Sequence, residues 1–209
     1  MTRVKICGIT NLEDALYAAE CGADALGFVL YEKSPRYIRN NNIYEIVKKL
    51  PPFIKTVGLF VNAELDHIFE TIDYCHLNLA QLHGDEDLEF CKEVKKRTGV
   101  IKAIRVKGSE SIKEIQQFSS VIRTFLLDAY IEGTYGGTGA SFDWEFVHQA
   151  KEFGDIVIAG GLNRENILEA VKNVKPYGVD VSSGVEISPG KKDKQKVKDF
   201  IRIAKGTYH

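Results

Sequence analysis

No apolar run in this 209-residue chain approaches the roughly 20 residues of a membrane span. Net charge is almost absent, with 28 Lys+Arg against 29 Asp+Glu. So even a balance carries no electrostatic signature of nucleic acid or an anionic membrane as partner. Cysteine is scarce: Cys7, Cys21, Cys75 and Cys91 are the only four, and none forms a C-x-x-C pair. That leaves a zinc site or a redox dithiol without support, and a chain of this length can bury a core without disulfides. The segment Met1-Thr2-Arg3-Val4-Lys5 lacks the basic stretch and apolar h-region of a secretory signal. Together these features point to a reducing cytoplasm. There is also no linker or low-complexity stretch, so residues 1–209 read as one domain.

What the chain does contain is alternation. Strand-like apolar runs at Val4–Cys7, Ala25–Leu30, Ile54–Val61, Leu77–His83, Val100–Val106, Phe125–Asp128, Ile156–Gly160 and Gly178–Ser182 are each followed by a helical period. Many are rich in Val, Ile and Leu, as expected for a parallel sheet covered on both faces. Leu65, Ile68, Phe69 and Ile72 form a helical stripe, as do Val197, Phe200, Ile201 and Ala204. Thr10-Asn11-Leu12-Glu13 has the capping-box pattern, and Asn62 and Asn163 suit helix N-caps. Eight β-then-α units of roughly 25 residues match a single-domain (β/α)8 barrel, typically about 200–250 residues long. A doubly wound open sheet is the competing architecture, but it fits fewer units into this length.

Period-two alternation then sorts each strand. Val4 and Ile6 face the helices, leaving Lys5 and Cys7 to point into the barrel. In the last strand Val179 and Val181 face out while Asp180 and Ser182 face in, so barrel closure offers Asp180 to Lys5 as a counter-charge. Gln81 and His83 share a face of the fourth strand. Polar groups therefore gather inside, near the C-terminal strand ends where barrel active sites lie.

Cys7 reads as a general base or nucleophile, or else as a small buried apolar residue; the other three cysteines read as packing residues. Asp128 follows four strand residues and is awkward in a core unless paired, functional or capping a loop. Ala159-Gly160-Gly161-Leu162 and Asp180-Val181-Ser182-Ser183-Gly184-Val185-Glu186 lie after adjacent strands. Their small residues let backbone N–H groups approach an anion, and a short helix after Gly184 would aim its positive end there. Gly160, Gly161, Ser182, Ser183 and Gly184 are thus the candidate phosphate site. Arg36, stiffened by Pro35, suits a carboxylate or is a plain surface arginine. His83 either contacts ligand or satisfies a barrel hydrogen bond; no His-x-x-x-His or Glu-x-x-His pattern accompanies it, which argues against a metal. The segment 132–139 reads as a lid or a simple connection, and the lysine-rich run 191–198 as the solvated face of the last helix.

These motifs, taken in order, resemble the phosphoribosylanthranilate isomerase family of tryptophan biosynthesis. The resemblance rests on Val4-Lys5-Ile6-Cys7-Gly8-Ile9-Thr10, Gly27-Phe28-Val29 with Ser34-Pro35-Arg36, Val57-Gly58-Leu59-Phe60-Val61-Asn62 and Gln81-Leu82-His83-Gly84. It continues through Gly136-Gly137-Thr138-Gly139, Ala159-Gly160-Gly161-Leu162-Asn163 and the run from Val179 to Glu186. It implies an Amadori rearrangement that needs no metal or organic cofactor, with Asp128 as general acid and Cys7 as general base. It further implies that Arg36 holds the anthranilate carboxylate, that the loops after strands seven and eight hold the phosphate, and that Asp180 and His83 touch the ribose or the ring. A small phosphorylated substrate is then the partner, on a scaffold that occurs as a monomer or a homodimer. The related histidine-pathway isomerase carries an aspartate where this chain has Cys7, and a silent ligand-binding barrel would have no use for Cys7, Asp128 and Arg36 together.

Overall fold

The computed structural model describes residues 1–106, 108, 110–128 and 144–206; the 132–139 segment lies outside them. Eight strands of the described residues close into a parallel barrel in sequence order. They are β1 (Arg3–Cys7), β2 (Ala25–Val29), β3 (Lys55–Phe60), β4 (Leu79–Leu82), β5 (Gly99–Arg105), β6 (Thr124–Asp128), β7 (Asp155–Ala159) and β8 (Gly178–Val181). Around them run α1 (Leu12–Glu20), α2 (Asn40–Val47), α3 (Leu65–Cys75), α4 (Leu88–Lys95), α5 (Glu110–Ser119), α6 (Trp144–Ala150), α7 (Ile167–Val174) and α8 (Lys194–Lys205). This is the (β/α)8 barrel expected, and every strand boundary falls within two residues of the sequence reading. Among the described residues no helix is long and apolar enough to cross a membrane.

Parity divides the core in two. Outward strand residues such as Val4, Ile6, Phe28, Phe60, Phe125 and Ile158 pack against the helices. The inward set (Val57, Ile101, Ala103, Leu126, Val157 and Ala159) fills the barrel interior as a separate cluster. The polar residues are left to the C-terminal rim, where barrel active sites lie. The helical stripes behave as read: Ile68 and Ile72 of α3 and Val197, Phe200, Ile201 and Ala204 of α8 are buried.

Four local expectations are corrected. The N-cap of α1 is Asn11, not Thr10: the Asn11 side chain accepts from the Asp14 N–H at 2.9 Å and donates to the Asp14 carboxylate at 2.8 Å. Thr10 is drawn away because its hydroxyl donates to the Gly190 carbonyl. Asn62 does not cap α3, whose N-cap is Glu64. It adopts a left-handed φ of 49° instead, and its side-chain oxygen accepts from the Asp85 N–H at 2.7 Å, tying the loops after β3 and β4 together. Nor does Asn163 cap α7, whose N-cap is Asn166; its side-chain oxygen accepts from the N–H groups of Glu165 and Asn166 in the turn that leads into the helix.

The last correction concerns the segment after β8. No helix follows Gly184. A single 3-10 turn (Ser183–Val185) gives way to a hairpin of β9 (Glu186–Ser188) and β10 (Lys191–Lys192). Gly190, at φ 80°, makes the reversal possible. The lysine run is therefore split: Lys191 and Lys192 belong to the hairpin, and Lys192 is only 3% exposed.

Candidate active site

The C-terminal rim of the barrel gathers the inward polar residues into two groups. The first is built on the seam between β1 and β8, where Lys5 pairs in register with Asp180 and Cys7 with Gly27 of β2. The Lys5 ammonium donates to Asp180 Oδ1 at 2.8 Å, as the alternation pattern anticipated. Burial works against the Lys5 charge, but the neighbouring Asp180 carboxylate and Cys7 prevail and push its pKa up to about 12. Cys7 is 4% exposed. Burial pushes its thiol pKa up, Lys5 and Lys192 pull it back, and Asp180 adds to the rise.

Glu186 is the hub of this first group. It accepts from Arg36 Nε at 2.9 Å and Arg36 Nη2 at 2.6 Å, from Lys192 Nζ at 2.9 Å and from the Gly190 N–H at 3.2 Å. Lys192 Nζ also donates to the carbonyl oxygens of Cys7 at 2.6 Å and Ser182 at 3.3 Å, so it ties the end of β1 to the end of β8. Burial alone would raise the Glu186 pKa. The Arg36 hydrogen bonds and the Lys192 charge outweigh it and hold the carboxyl below its usual range. Gly8, at φ 76°, is required where these parts meet: a Cβ there would lie 2.6 Å from Arg36 Cδ and 2.9 Å from Ser182 Oγ.

The second group centres on Asp128 at the end of β6. His83 Nε2 lies 3.3 Å from Asp128 Oδ2, and the other ring nitrogen lies 2.9 Å from Gln81 Nε2. With Gln81 donating, the His83 proton sits on Nε2 and points at Asp128. The next residue, Gly84, is clamped: its N–H donates to Glu86 at 2.9 Å and its carbonyl accepts from Lys102 Nζ at 2.8 Å. Lys102 and Glu86 form their own buried ion pair at 2.8 Å. That pair fixes the strand end from which His83 projects.

Both glycines of the loop after β7 adopt left-handed backbone, Gly160 at φ 89° and Gly161 at φ 63°. Across from them, Gly184 packs so tightly on the Leu162 carbonyl that no side chain fits. The two loops are thus held edge to edge. Among the described residues, two buried side-chain oxygens near the rim, Ser182 Oγ and Gln81 Oε1, find no hydrogen-bond partner, which suits atoms that meet a ligand.

Every sequence-selected residue therefore lies at the rim. Cys7, Arg36, Asp180 and Ser182 fall in the first group, His83 and Asp128 in the second, and Gly160, Gly161, Ser183 and Gly184 in the two loops. Sequence reasoning assigned no role to Lys192, Glu186 or Gln81. Lys192 was hidden in a lysine-rich run, although Ser188-Pro189-Gly190 is a turn signal that would have separated it from the helix.

The model of the N-(5'-phosphoribosyl)anthranilate isomerase family matches residues 4–203. An N-(5'-phosphoribosyl)anthranilate isomerase of Geotalea uraniireducens is 55% identical over 206 residues, covering 99% of this chain and all of the relative. That of Geobacter sulfurreducens is 53% identical with the same coverage. The crystal structure of the Thermotoga maritima enzyme superposes with a TM-score of 0.91 at 46% identity, covering 99% of this chain and all of that one. A further phosphoribosylanthranilate isomerase, crystallised with reduced 1-(o-carboxyphenylamino)-1-deoxyribulose 5-phosphate, gives 0.89 at 44% identity with equal coverage.

Because the Glu186 pKa is lowered in the fold, its contribution to stability is complete above the ordinary glutamate pKa of about 4.3 and is lost as pH falls through the folded value. Glu186→Gln should cost up to about 3–5 kcal/mol at neutral pH, since Lys192 stays buried without its anion. Urea unfolding of both proteins should show this difference shrinking below about pH 4. A difference that stays constant down to pH 3 would contradict the assignment.

Proposed function

The chain belongs to the N-(5'-phosphoribosyl)anthranilate isomerase family, and on that premise we propose which of its residues carry the reaction. The reaction is the Amadori rearrangement of N-(5-phosphoribosyl)anthranilate to 1-(2-carboxyphenylamino)-1-deoxyribulose 5-phosphate, an aldose–ketose isomerisation in L-tryptophan biosynthesis. Asp128 donates a proton to the furanose ring oxygen, and the ring opens to an iminium at C1. The Cys7 thiolate then removes the proton from C2. The C–H electron pair becomes the C1=C2 bond as the C1=N π pair returns to nitrogen, giving an enolamine that tautomerises to the C2 ketone. The supporting observation is the placement of a thiol and a carboxylic acid on inward positions at the C-terminal ends of β1 and β6, each within its own network. That is the arrangement an acid and a base of opposite role require.

Arg36 receives the anthranilate carboxylate. Glu186 fixes the guanidinium plane through Nε and Nη2, and N–H groups on Nη1 serve the ligand. The loops carrying Gly160, Gly161, Ser182, Ser183 and Gly184 take the phosphate, and Asp180 and His83 contact the ribose or the ring. A cytoplasmic location accords with the free thiols of Cys7, Cys21, Cys75 and Cys91.

The chain acts as a homodimer. A Thermotoga maritima relative at 42% identity is described as dimeric. Here the face opposite the active site carries a cavity of about 580 Å³ lined by Val57, Leu79, Ile101 and Val157 together with charged residues such as Arg3, Lys55 and Arg123. Phe53 stands at its edge, 94% exposed, and a second copy would bury it.

In a fluorescence assay that follows loss of phosphoribosylanthranilate, Cys7→Ser should lower turnover by about 10²–10⁴-fold while substrate still binds. Near-normal turnover would sink the base assignment. Arg36→Ala should instead weaken substrate binding by about 10–100-fold, the loss of a charged hydrogen bond; unchanged affinity removes Arg36 from the carboxylate site. Phe53→Asp should convert the dimer to a monomer in sedimentation velocity and leave the active site intact. A wild-type monomer would refute the dimer.

A further inference from the structure

The assignment of Cys7 as base leaves a physical difficulty. A base must be ionised, yet burial favours the neutral thiol. We propose that Lys5 is the fixed cation that allows Cys7 to ionise, and that Asp180 regulates how much of its charge the sulfur receives. This rests on the reading of Cys7 as the base and adds to it a positioning residue that acts through the thiol.

Geometry carries the assignment. Lys5 and Cys7 are both inward on β1, and the residue in register with Cys7 on β2 is Gly27. A Cβ on Gly27 would lie 2.8 Å from Cys7 Sγ and 3.0 Å from Lys5 Nζ. The missing side chain is therefore the space that the thiol and the ammonium share. It places them within about 6 Å of each other, the range in which an opposite charge favours ionisation. Lys5 is 6% exposed and is held on its other side by Asp180 at 2.8 Å, so it is a fixed charge with little freedom to leave.

The charged groups facing this pocket come from each element packed around it: Lys5 on β1, Arg36 in the loop after β2, Asp180 on β8, Glu186 on β9 and Lys192 on β10. Lys192 spends its hydrogen bonds on Glu186 and on the backbone carbonyls of Cys7 and Ser182. Arg36 is committed to Glu186. Three cations and two carboxylates stand around the thiol, the buried Asp14 of α1 lies behind them on the Lys192 N–H, and ionisation places a thiolate among them. Lys5 is the cation that meets it at the side chain.

The test is a pH titration of thiolate ultraviolet absorbance, with the Cys7→Ser counterpart of each variant subtracted so that only Cys7 is read. Lys5→Met should raise the Cys7 midpoint by about one pH unit or more, roughly tenfold less thiolate at a given pH. Asp180→Asn should move it the opposite way, because the anion that competes for Lys5 is gone. General damage to the fold would not produce opposite signs. In turnover, Lys5→Met should move the rising limb of the kcat profile to higher pH, with KM little changed. If Lys5→Met does not fold with its buried aspartate unpaired, Asp180→Asn is compared with the Lys5→Met/Asp180→Asn double variant. Those two differ only in the lysine, and the double variant should have the higher midpoint. Equal midpoints overturn the proposal. The titration reads the thiol without needing turnover, so an active Cys7→Ser would remove the base assignment and leave the Lys5 result standing.

Discussion

The buried ion pair between Lys5 and Asp180 is the contact on which the rest of the rim depends. It joins the first strand to the last at the seam where the barrel closes. Taking two charges out of water is costly, and a buried pair is tolerated only when its geometry is good. That cost specifies a register, because period-two alternation allows Lys5 to reach Asp180 only if Cys7 and Ser182 also point inward. A one-residue slip of β1 would expel Lys5 and Cys7 and drive Val4 and Ile6, now buried against the helices, into the polar rim. One electrostatic contact therefore selects the same arrangement as the apolar core.

The fold was legible because its signal is repeated. Eight apolar runs each report both a strand and a parity, and errors in single residues do not accumulate. The same reasoning reached the Lys5–Asp180 pair and the shared face of Gln81 and His83. It failed where one residue's choice depends on a distant partner. Thr10 loses the cap of α1 to Asn11 because Gly190, 180 positions away, offers its hydroxyl a carbonyl. Asn62 leaves α3 because the loop after β4 supplies an N–H group for its side chain. Lys192 looked solvated because its neighbours are. Its burial follows from a hairpin whose other strand supplies Glu186. The sequence nominated His83 but not the chain from Gln81 to Asp128, since a shared face does not say which neighbour on another strand an imidazole will meet.

The two polar groups at the rim are organised on different physical lines. Around Cys7 the structure concentrates charge, with a carboxylate hub that orients Arg36 and stitches strand ends through Lys192. Around Asp128 it places His83 and Gln81, with Arg105 in register on β5, and the charged pair of Lys102 and Glu86 stays one layer outside, on the helix side of the wall. The two groups thus offer a proton acceptor and a proton donor different surroundings on the same rim.

The stitching of β1 to the final hairpin also governs the order of events during synthesis. Cys7 lies on the first strand of the barrel, yet side chains that complete its surroundings, those of Asp180 and Lys192, come 173 and 185 positions later. A nascent chain can assemble most of its β-then-α units while still attached to the ribosome, but those units form an open sheet with an unsatisfied lysine on its first edge. Closure must wait for β8 and the hairpin that follows it. Until then the thiol has no defined environment, so a chain interrupted before the final hairpin would be inert and would expose a strand edge. Quality control by chaperones and proteases can recognise such an edge.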